Sequence, residues 1–389
     1  MTHFPGKLAL QQRVLTTYRA PLFDALAEAC QGGMDVFAGL PRPEESIATT
    51  DTLQVARYML ARNIHILRSP LYFCYQRGLL DWLTDCNPDA LIVEANPRYL
   101  ATPAAVRWMH RHNRPVIGWG LGVTPPQPPP SATGGERRGA GSPPVVEKNG
   151  GRWRGVYLRQ FDALLTYSHL GAEQYAALGF PADRIFVAPN AATPRPTRPM
   201  PVRPEKFAGK PNVLFVGRLQ ARKRIDALLY ACAALPGPLQ PRLVIVGDGP
   251  ERAALEALAK SVYPSAEFAG AKHGAELEPY FLAADLFVLP GTGGLAVQEA
   301  MSWGLPIIMG QGDGTNDDLV RPGNGWQLPG PDAPDLSKGP DTLAEVLREA
   351  LADASRLRAM GAESYRIVRD EINLEKMVAV FVAALNQIR

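Results

Sequence analysis

Two short stretches in the second half of the chain combine cations with glycines in a way that suits a phosphate-bearing ligand. In residues 215–224 an apolar run ends at Gly217 and a run of cations follows. In residues 290–301 an apolar run ends in a glycine-rich turn that opens a helix. Backbone N–H groups at a helix start carry partial positive charge, and glycine lets an anion approach them closely. Arg218 and Lys223 would add full charges, so the two stretches predict a diphosphate site.

The helix that follows the glycine turn carries a carboxylate about one turn from its start. This residue, Glu299, could accept hydrogen bonds from a ribose, and the apolar residues around it predict that it is partly buried. A nucleotide diphosphate is therefore the ligand that this combination suits best. The competing interpretation is that Glu299 is a polar residue on an outer helix face and that the cations are surface charges, as we expect for Arg222 and Arg224.

The elements that must position these residues follow a βαβ pattern. Short apolar strands alternate with amphipathic stretches in both halves of the chain, which is typical of a parallel sheet. The predicted strands are 8–15, 35–39, 90–94, 115–120, 162–167, 185–188, 213–216, 242–246, 267–270 and 286–289. We expect an α/β fold of two Rossmann-type layers, each with its ligand at the carboxyl ends of the strands.

Two segments interrupt this alternation. Residues 124–151 are rich in Pro, Gly, Ser and Arg and cannot bury enough apolar surface to offset their ordering entropy, so they predict a mobile loop. Residues 191–210 contain closely spaced prolines, which predict a semi-rigid extended spacer. We therefore predict an N-terminal domain over residues 1–195 and a C-terminal domain that begins at residue 196.

Composition excludes several classes of protein. The chain has 389 residues with 46% hydrophobic content, enough for two cores, and no apolar run of the roughly 18 residues that a membrane span needs. A net charge of +3 is too small to imply nucleic acid. The four cysteines show no Cys-x-x-Cys spacing, which favours reduced thiols over a disulfide framework or a zinc site. Because the sequence has no signal-peptide pattern, we expect a cytoplasmic protein. A peripheral location on the inner face of the membrane is the alternative.

Five sequence elements of the second half occur in an order and spacing that are specific together, although each is weak alone. They are the Gly-Arg-Leu…Lys turn at 217–223, Val-Ile-Val-Gly-Asp-Gly-Pro at 244–250, Ala-Ala-Asp-Leu-Phe-Val-Leu-Pro at 283–290, Glu-Ala-Met at 299–301 and Gly-Leu-Pro-Ile-Ile at 304–308. From Asn212 to about Ala362 the chain thereby resembles the donor-binding domain of family 4 retaining glycosyltransferases of the GT-B fold. The family usually carries a Glu-x7-Glu pair, of which Glu299 is the second member, whereas the first position is Gly291.

The resemblance implies a GT-B architecture, in which two Rossmann-like domains place their parallel sheets across a cleft. It further implies that a C-terminal domain over 196–368 binds the nucleotide sugar and that a last helix, 369–389, packs back on the N-terminal domain. Arg218 and Lys223 would act as catalytic residues that neutralise the leaving diphosphate, and Glu299 would bind the ribose. The remaining donor contacts that it implies are Gly217, Gly270, Lys272, Thr292, Gly293, Gly294 and Leu295.

The N-terminal domain would bind the acceptor at the ends of its first and later strands. The candidates, for which ordinary loop polarity is the competing account, are Arg13, Tyr18, Arg19, Glu94, Asn96 and Arg98. Many relatives carry a His after the strand that ends at residue 120, but this chain has Leu121 there. We expect no metal, because the acidic run 313–318 lacks calcium-loop spacing and favours a helix cap, and because GT-B transferases generally work without one.

The leading hypothesis is a retaining, metal-independent glycosyltransferase that moves a hexose-type sugar from a nucleotide-diphosphate sugar to an acceptor hydroxyl. The acceptor would be a glycan, a lipid-linked molecule or a small molecule, plausibly in cell-envelope or exopolysaccharide synthesis, with no cofactor beyond the donor. The first alternative is a degenerate GT-B protein that binds nucleotide or sugar without transfer, which Gly291 and Leu121 favour. The second alternative is a nucleotide-sugar epimerase of the same fold. A nicotinamide dehydrogenase is disfavoured because no Gly-x-Gly-x-x-Gly follows an early strand.

Overall fold

The computed structural model describes residues 3–45, 47–67, 71–122, 148–293, 295–310, 312, 314–329 and 339–389. The chain divides into two compact units, Met1–Ala192 with Leu374–Arg389, and Thr193–Asn373. The boundaries predicted from the proline-rich spacer and the resemblance are 195/196 and 368/369. The segment 124–151, predicted to be a mobile loop, lies outside the described residues except for 148–151.

The first unit is built on a seven-stranded sheet in which all neighbouring strands are parallel, with a separate antiparallel hairpin. Its strands are β1 (Leu8–Val14), β2 (Met34–Gly39), β3 (Arg57–Leu60), β4 (Arg62–Ile66), β5 (Phe73–Arg77), β6 (Ala90–Glu94), β7 (Val116–Gly120), β8 (Ala163–Thr166) and β9 (Ile185–Val187). Its first helices are α1 (Ala20–Glu28), α2 (Leu79–Cys86), α3 (Thr102–Arg111), α4 (Lys148–Leu158) and α5 (His169–Ala177). The sheet order is β3-β2-β1-β6-β7-β8-β9, and β4 pairs with β5.

The second unit contains a six-stranded parallel sheet in the order β12-β11-β10-β13-β14-β15. Its strands are β10 (Asn212–Val216), β11 (Arg242–Val246), β12 (Glu267–Gly270), β13 (Leu286–Leu289), β14 (Ile307–Gly310) and β15 (Gly325–Leu328). Its helices are α6 (Ile225–Ala233), α7 (Arg252–Val262), α8 (Glu278–Ala283), α9 (Leu295–Ser302), α10 (Thr315–Leu319), α11 (Gly339–Leu351) and α12 (Ala354–Asp370). The strands are nearly continuous apolar runs because helices cover both faces of such a sheet.

Both sheets reverse their direction of winding at one point. In the second unit the reversal lies between β10 and β13, and in the first unit it lies between β1 and β6. In an open parallel sheet the loops at the carboxyl ends of two such strands diverge and leave a crevice, which is where ligands bind. The fold therefore marks one position in each unit where a site is expected.

The last helix, α13 (Leu374–Gln387), belongs to the first unit although it follows the second in sequence. It packs against α1, β8 and β9, and the buried ring of Phe381 lies 4.9 Å from that of Trp119. The prediction that the chain returns to its first domain through a C-terminal helix is thereby confirmed. No helix in the described ranges has the length and hydropathy to span a bilayer.

Candidate functional site

The crevice of the second unit brings together the two stretches that the sequence singled out. After β10 the chain makes a 3₁₀ turn over Ala221–Lys223, and after β13 it makes the glycine-rich turn that leads into α9. The Lys223 ammonium donates a hydrogen bond of 2.7 Å to the carbonyl oxygen of Thr292. In return the Thr292 N–H donates to the carbonyl of Arg222 at 3.1 Å. The cation and the turn before α9 thus form one structural element.

Lys223 is a buried cation without a counter-ion. Its residue is only 8% exposed, and within the described residues no carboxylate lies at ion-pair distance from its ammonium. Burial, together with the smaller effect of the neighbouring Arg222, lowers the pKa of the Lys223 ammonium to about 8. Because an unpaired buried charge is costly, a site of this kind is stabilised when an anion binds next to it.

The two arginines of this turn are both exposed, as the sequence predicted for Arg222. Arg218 is exposed, and its side chain makes no hydrogen bond or ion pair with the part of the chain that the structure describes. Arg222 is the surface charge that the sequence indicated, and it also lies beside the glycine turn. A Cβ built on Gly293 would lie 2.7 Å from Lys223 Nζ and 3.4 Å from a terminal nitrogen of Arg222. Arg222 is therefore a candidate site residue that sequence reasoning missed.

Gly291, the position at which the family has its first Glu, is packed against backbone. A Cβ there would lie 2.0 Å from the Arg222 carbonyl oxygen and 2.5 Å from Lys223 Cα. No side chain fits without separating the two turns. Gly291 is thus the residue that permits the close contact holding Lys223 in place.

Glu299 lies half-buried on α9 and faces a cavity of about 300 Å³. Burial raises the pKa of the Glu299 carboxyl, and the positive charge of Arg198 opposes that rise. The Arg198 guanidinium lies 3.2 Å from the ring centre of Trp303 and donates to the Ser302 hydroxyl at 3.4 Å. Arg198 comes from the proline-rich spacer, which gave no signal of a functional role.

The other predicted donor contacts lie at the ends of neighbouring strands. Gly217 and Gly270 both have positive φ, and their loops are linked through Gly247, which donates to the Gly270 carbonyl at 2.8 Å. Lys272 is paired with Glu276 at 3.5 Å. Thr292 and Leu295, the first residue of α9, are exposed, and Gly294 lies outside the described residues.

The residue before Glu299 connects α9 to both ends of the second unit. Gln298 is buried, its amide nitrogen donates to the Ile372 carbonyl at 2.8 Å, and its amide oxygen accepts from the Thr193 N–H at 3.2 Å. Thr193 and Ile372 lie where the chain enters and leaves this unit. These partners are too distant in sequence for any local pattern to have revealed them.

In the first unit, two of the predicted acceptor residues meet at the reversal between β1 and β6. The Arg13 N–H donates to the Glu94 carboxylate, and the Arg13 guanidinium pairs with Glu45 at 2.7 Å. Burial raises the pKa of the Glu94 carboxyl to about 7, although Arg13 and Arg19 oppose the rise. The structure thus places a carboxyl with a pKa near neutral next to an arginine in the crevice of the first unit.

The sequence did not indicate the other members of this cluster. The Arg42 guanidinium lies 4.7 Å from the ring centre of Tyr72, whose hydroxyl is hydrogen-bonded to His65 at 2.9 Å. Arg42 also lies 3.7 Å from Glu45. The cluster therefore combines aromatic rings with alternating charges, a combination that suits a polar ligand such as a sugar.

The remaining acceptor candidates have local roles in the described structure. Arg19 is 6% exposed, bonds to Asn190 at 2.9 Å and lies about 5 Å from three aromatic rings, one of them that of the more exposed Tyr18. Asn96 accepts a hydrogen bond of 3.0 Å from the Arg98 N–H, which fixes the turn after β6, and Arg98 is exposed. In the parts of the chain that are described, no group of His, Cys, Asp and Glu could hold a metal ion.

Comparison with known proteins gives a family match for the second unit. The family described as "Glycosyl transferases group 1" matches residues 199–366. The GDP-mannose-dependent alpha-mannosyltransferase of Mycobacterium tuberculosis is 38% identical over 169 residues, 42% of this chain and 42% of that protein. The sulfoquinovosyl transferase SQD2 of Arabidopsis thaliana is 37% identical over 111 residues, 28% of this chain and 21% of that protein.

Solved structures match both units. The Anabaena protein Alr3699/HepE in complex with UDP superposes with a TM-score of 0.66 over 100% of both chains at 14% identity. The lipopolysaccharide outer core galactosyltransferase WaaB superposes with a TM-score of 0.64 over 97% of this chain and 99% of that one, at 15% identity.

The fold follows from these structural matches. The chain has the GT-B fold, and its second unit matches the glycosyl transferases group 1 family, which bears out the resemblance to family 4 glycosyltransferases. The chain spans about two fifths of the length of the Mycobacterium tuberculosis relative that it matches.

Proposed function

We propose that this protein is a retaining, metal-independent glycosyltransferase that moves a hexose from a nucleotide-diphosphate sugar to an acceptor hydroxyl. The observation that carries the proposal is the buried Lys223 ammonium, held 2.7 Å from the Thr292 carbonyl in the crevice between β10 and β13. Its missing counter-charge is what a diphosphate would provide. An ammonium has three donors, and among the described residues only the Thr292 carbonyl accepts from it, which would leave the others to bind phosphate oxygens.

In the proposed reaction the bond between the sugar and the diphosphate breaks while the acceptor oxygen bonds to the same carbon from the same face. The proton of the acceptor hydroxyl passes to an oxygen of the leaving diphosphate, so no protein base is needed. Lys223, with Arg218 and Arg222, would stabilise the negative charge that develops on the leaving group. Glu299 would hold the ribose and so orient the donor.

The relatives suggest which donor and pathway to examine first. Matched proteins from Mycobacterium tuberculosis, Corynebacterium glutamicum and Mycolicibacterium smegmatis are named as GDP-mannose-dependent. One from Rhizobium meliloti is named for lipopolysaccharide core biosynthesis. We propose GDP-mannose as the first donor to test, and an acceptor in cell-envelope or exopolysaccharide synthesis. A cytoplasmic location with peripheral membrane contact would suit such an acceptor.

The test is a thermal-shift and product-release assay with GDP, UDP, ADP, TDP and their sugar conjugates. A ligand at about 100 times its Kd stabilises the protein by about 2.7 kcal/mol, which raises Tm by a few degrees. Lys223→Ala and Arg218→Ala should each lower the transfer rate at least about tenfold. The control Lys260→Ala removes an exposed lysine of α7 and should leave the rate unchanged.

Two results would contradict the proposal. If Lys223→Ala transferred sugar at the wild-type rate, the diphosphate assignment would be wrong. If EDTA abolished transfer and a divalent ion restored it, the reaction would depend on a metal.

Nucleotide binding without transfer is the second candidate function, and Gly291 favours it. The family's first carboxylate is absent at this position, and the packing of Gly291 leaves no space for a side chain. The same assay separates the two functions, because a binding protein would give a thermal shift with one nucleotide but no released product with any acceptor.

A further inference from the structure

The antiparallel hairpin of the first unit presents an apolar and basic surface that the proposed donor chemistry does not use. Its strands β4 and β5 pair Ile64 with Tyr75 and Arg62 with Arg77. Ile64, Ile66 and Tyr75 are each about 40% exposed, whereas the alternate residues on the other face are buried or half-buried. We use "hairpin face" for Arg62, Ile64, Ile66, Tyr75 and Arg77.

Neighbouring residues extend the hairpin face. Leu67 and Leu71, which follow β4 and precede β5, are 61% and 64% exposed. A short segment pairs with β5 through a parallel bridge between Cys74 and Tyr99, both buried. Since side chains alternate along a strand, Arg98 and Leu100 lie on the side of the hairpin face. Both are exposed, Leu100 by 45%.

The charge of this surface is entirely positive. The segments 62–66, 73–77 and 98–100 contain no acidic residue. Among the described residues no carboxylate pairs with Arg62, Arg77 or Arg98. Arg62 and Arg77 stand directly opposite each other, an arrangement that costs stability unless a negative partner compensates it. Apolar side chains next to unpaired cations are the combination that binds an anionic lipid surface.

The opposite face of the hairpin fixes it to the main sheet. Gln76 donates to the Gln12 carbonyl at 3.0 Å, and Asn63 donates to the Arg13 carbonyl at 2.8 Å. These anchors lie at the carboxyl end of β1, next to the pair of Arg13 and Glu94. The hairpin is therefore positioned beside the crevice of the first unit.

We infer that the hairpin face docks this protein on a membrane surface rich in anionic lipid. A second copy of the chain is a poorer occupant, because a two-fold interface would place the unpaired arginines of one copy against those of the other. Given the proposed function, docking here would bring a lipid-linked acceptor to the Arg13–Glu94 crevice. The docking itself can be tested without nucleotide, so its outcome is independent of whether the protein transfers sugar.

The experiment measures sedimentation of the full chain with vesicles of phosphatidylcholine, with and without about one third phosphatidylglycerol. We expect binding to the anionic vesicles alone, and a loss of binding when salt rises from about 0.1 M to about 0.5 M. The double variant Arg62→Gln/Arg77→Gln should bind at least about tenfold more weakly. Ile64→Ser/Ile66→Ser should also bind more weakly. The same is expected of Leu71→Ser, a single change outside the strands.

The matched control is Arg107→Gln/Arg111→Gln, which removes two exposed arginines from α3 in the same unit. Wild-type-like binding by this variant would support the inference, because the net charge is the same as in the hairpin variant. Equal weakening in both variants, or no binding of the wild type at low salt, would overturn it. A dimer in solution that Ile64→Ser/Ile66→Ser dissociates would assign the face to self-association instead.

Discussion

At the scale of single residues, the pKa of Lys223 predicts how the free energy of unfolding and the binding of an anion depend on pH. Burial brings this pKa to about 8, below the ordinary value of 10.5. Between these values the folded protein holds fewer protons than the unfolded chain, so the Lys223 contribution to the unfolding free energy rises with pH in that window. Anion binding has the opposite dependence, because it needs the charged ammonium.

Nucleotide affinity should therefore fall as pH rises above about 8, approaching tenfold per pH unit. The phosphate groups do not contribute, since their last ionisation lies near pH 6. Isothermal titration between about pH 7 and about pH 9.5 measures the effect on the nucleotide that the thermal-shift panel selects. Lys223→Arg should flatten the profile, while Lys260→Ala should keep it. A flat wild-type profile would exclude Lys223 from the site.

Residue types at the site were readable from the sequence, but their environments were not. Cations after one strand and glycines after another predicted a diphosphate site, and the structure brings Lys223 and Thr292 together there. The role of Arg222 depends on the path of the 3₁₀ turn, which composition does not encode. Arg198 was hidden because a proline-rich spacer gives no signal of where its side chains point.

At the scale of elements, the contact between the turn after β10 and the turn after β13 depends on Gly291. Gly291→Ala would push a methyl group to 2.0 Å from the Arg222 carbonyl, so the two turns must separate. We expect a loss of about 1–3 kcal/mol in the free energy of unfolding and weaker nucleotide binding, because Lys223 would move. Denaturant unfolding and titration measure the two effects.

The control for this change is Gly237→Ala in a 3₁₀ turn of the same unit. A Cβ at Gly237 would meet no atom within 4 Å, so stability should stay the same or rise slightly. If Gly291→Ala were as stable as Gly237→Ala and bound nucleotide equally well, the packing of the two turns would not position the lysine.

Most strands that border the two crevices were predictable because they are continuous apolar runs followed by turn residues. The predictions for 90–94, 213–216, 242–246 and 286–289 agree with β6, β10, β11 and β13. The hairpin of β4 and β5 and the edge strand β3 were missed for a physical reason. Their apolar residues, such as Ile64 and Leu60, are exposed, so they do not mark a buried face.

At the scale of the whole molecule, the order of strands is the feature that no local pattern encodes. The reversals between β1 and β6 and between β10 and β13 depend on long-range pairing, yet they select the two crevices. Arg13 and Glu94 were predicted to share a site because each lies at the end of a strand. Their contact requires that β1 and β6 be neighbours.

Gln298 acts at the same scale, because it ties α9 to both points where the chain crosses between units. Gln298→Leu would leave the Ile372 carbonyl and the Thr193 N–H without these partners, at a cost of about 1–3 kcal/mol for the buried Ile372 carbonyl. We expect a lower Tm and faster amide exchange around 193 and 372. Gln31→Leu, at an exposed position of the first unit, should change neither. Unchanged exchange at residues 193 and 372 in Gln298→Leu would mean that other contacts hold these crossings, and that α9 is not coupled to them.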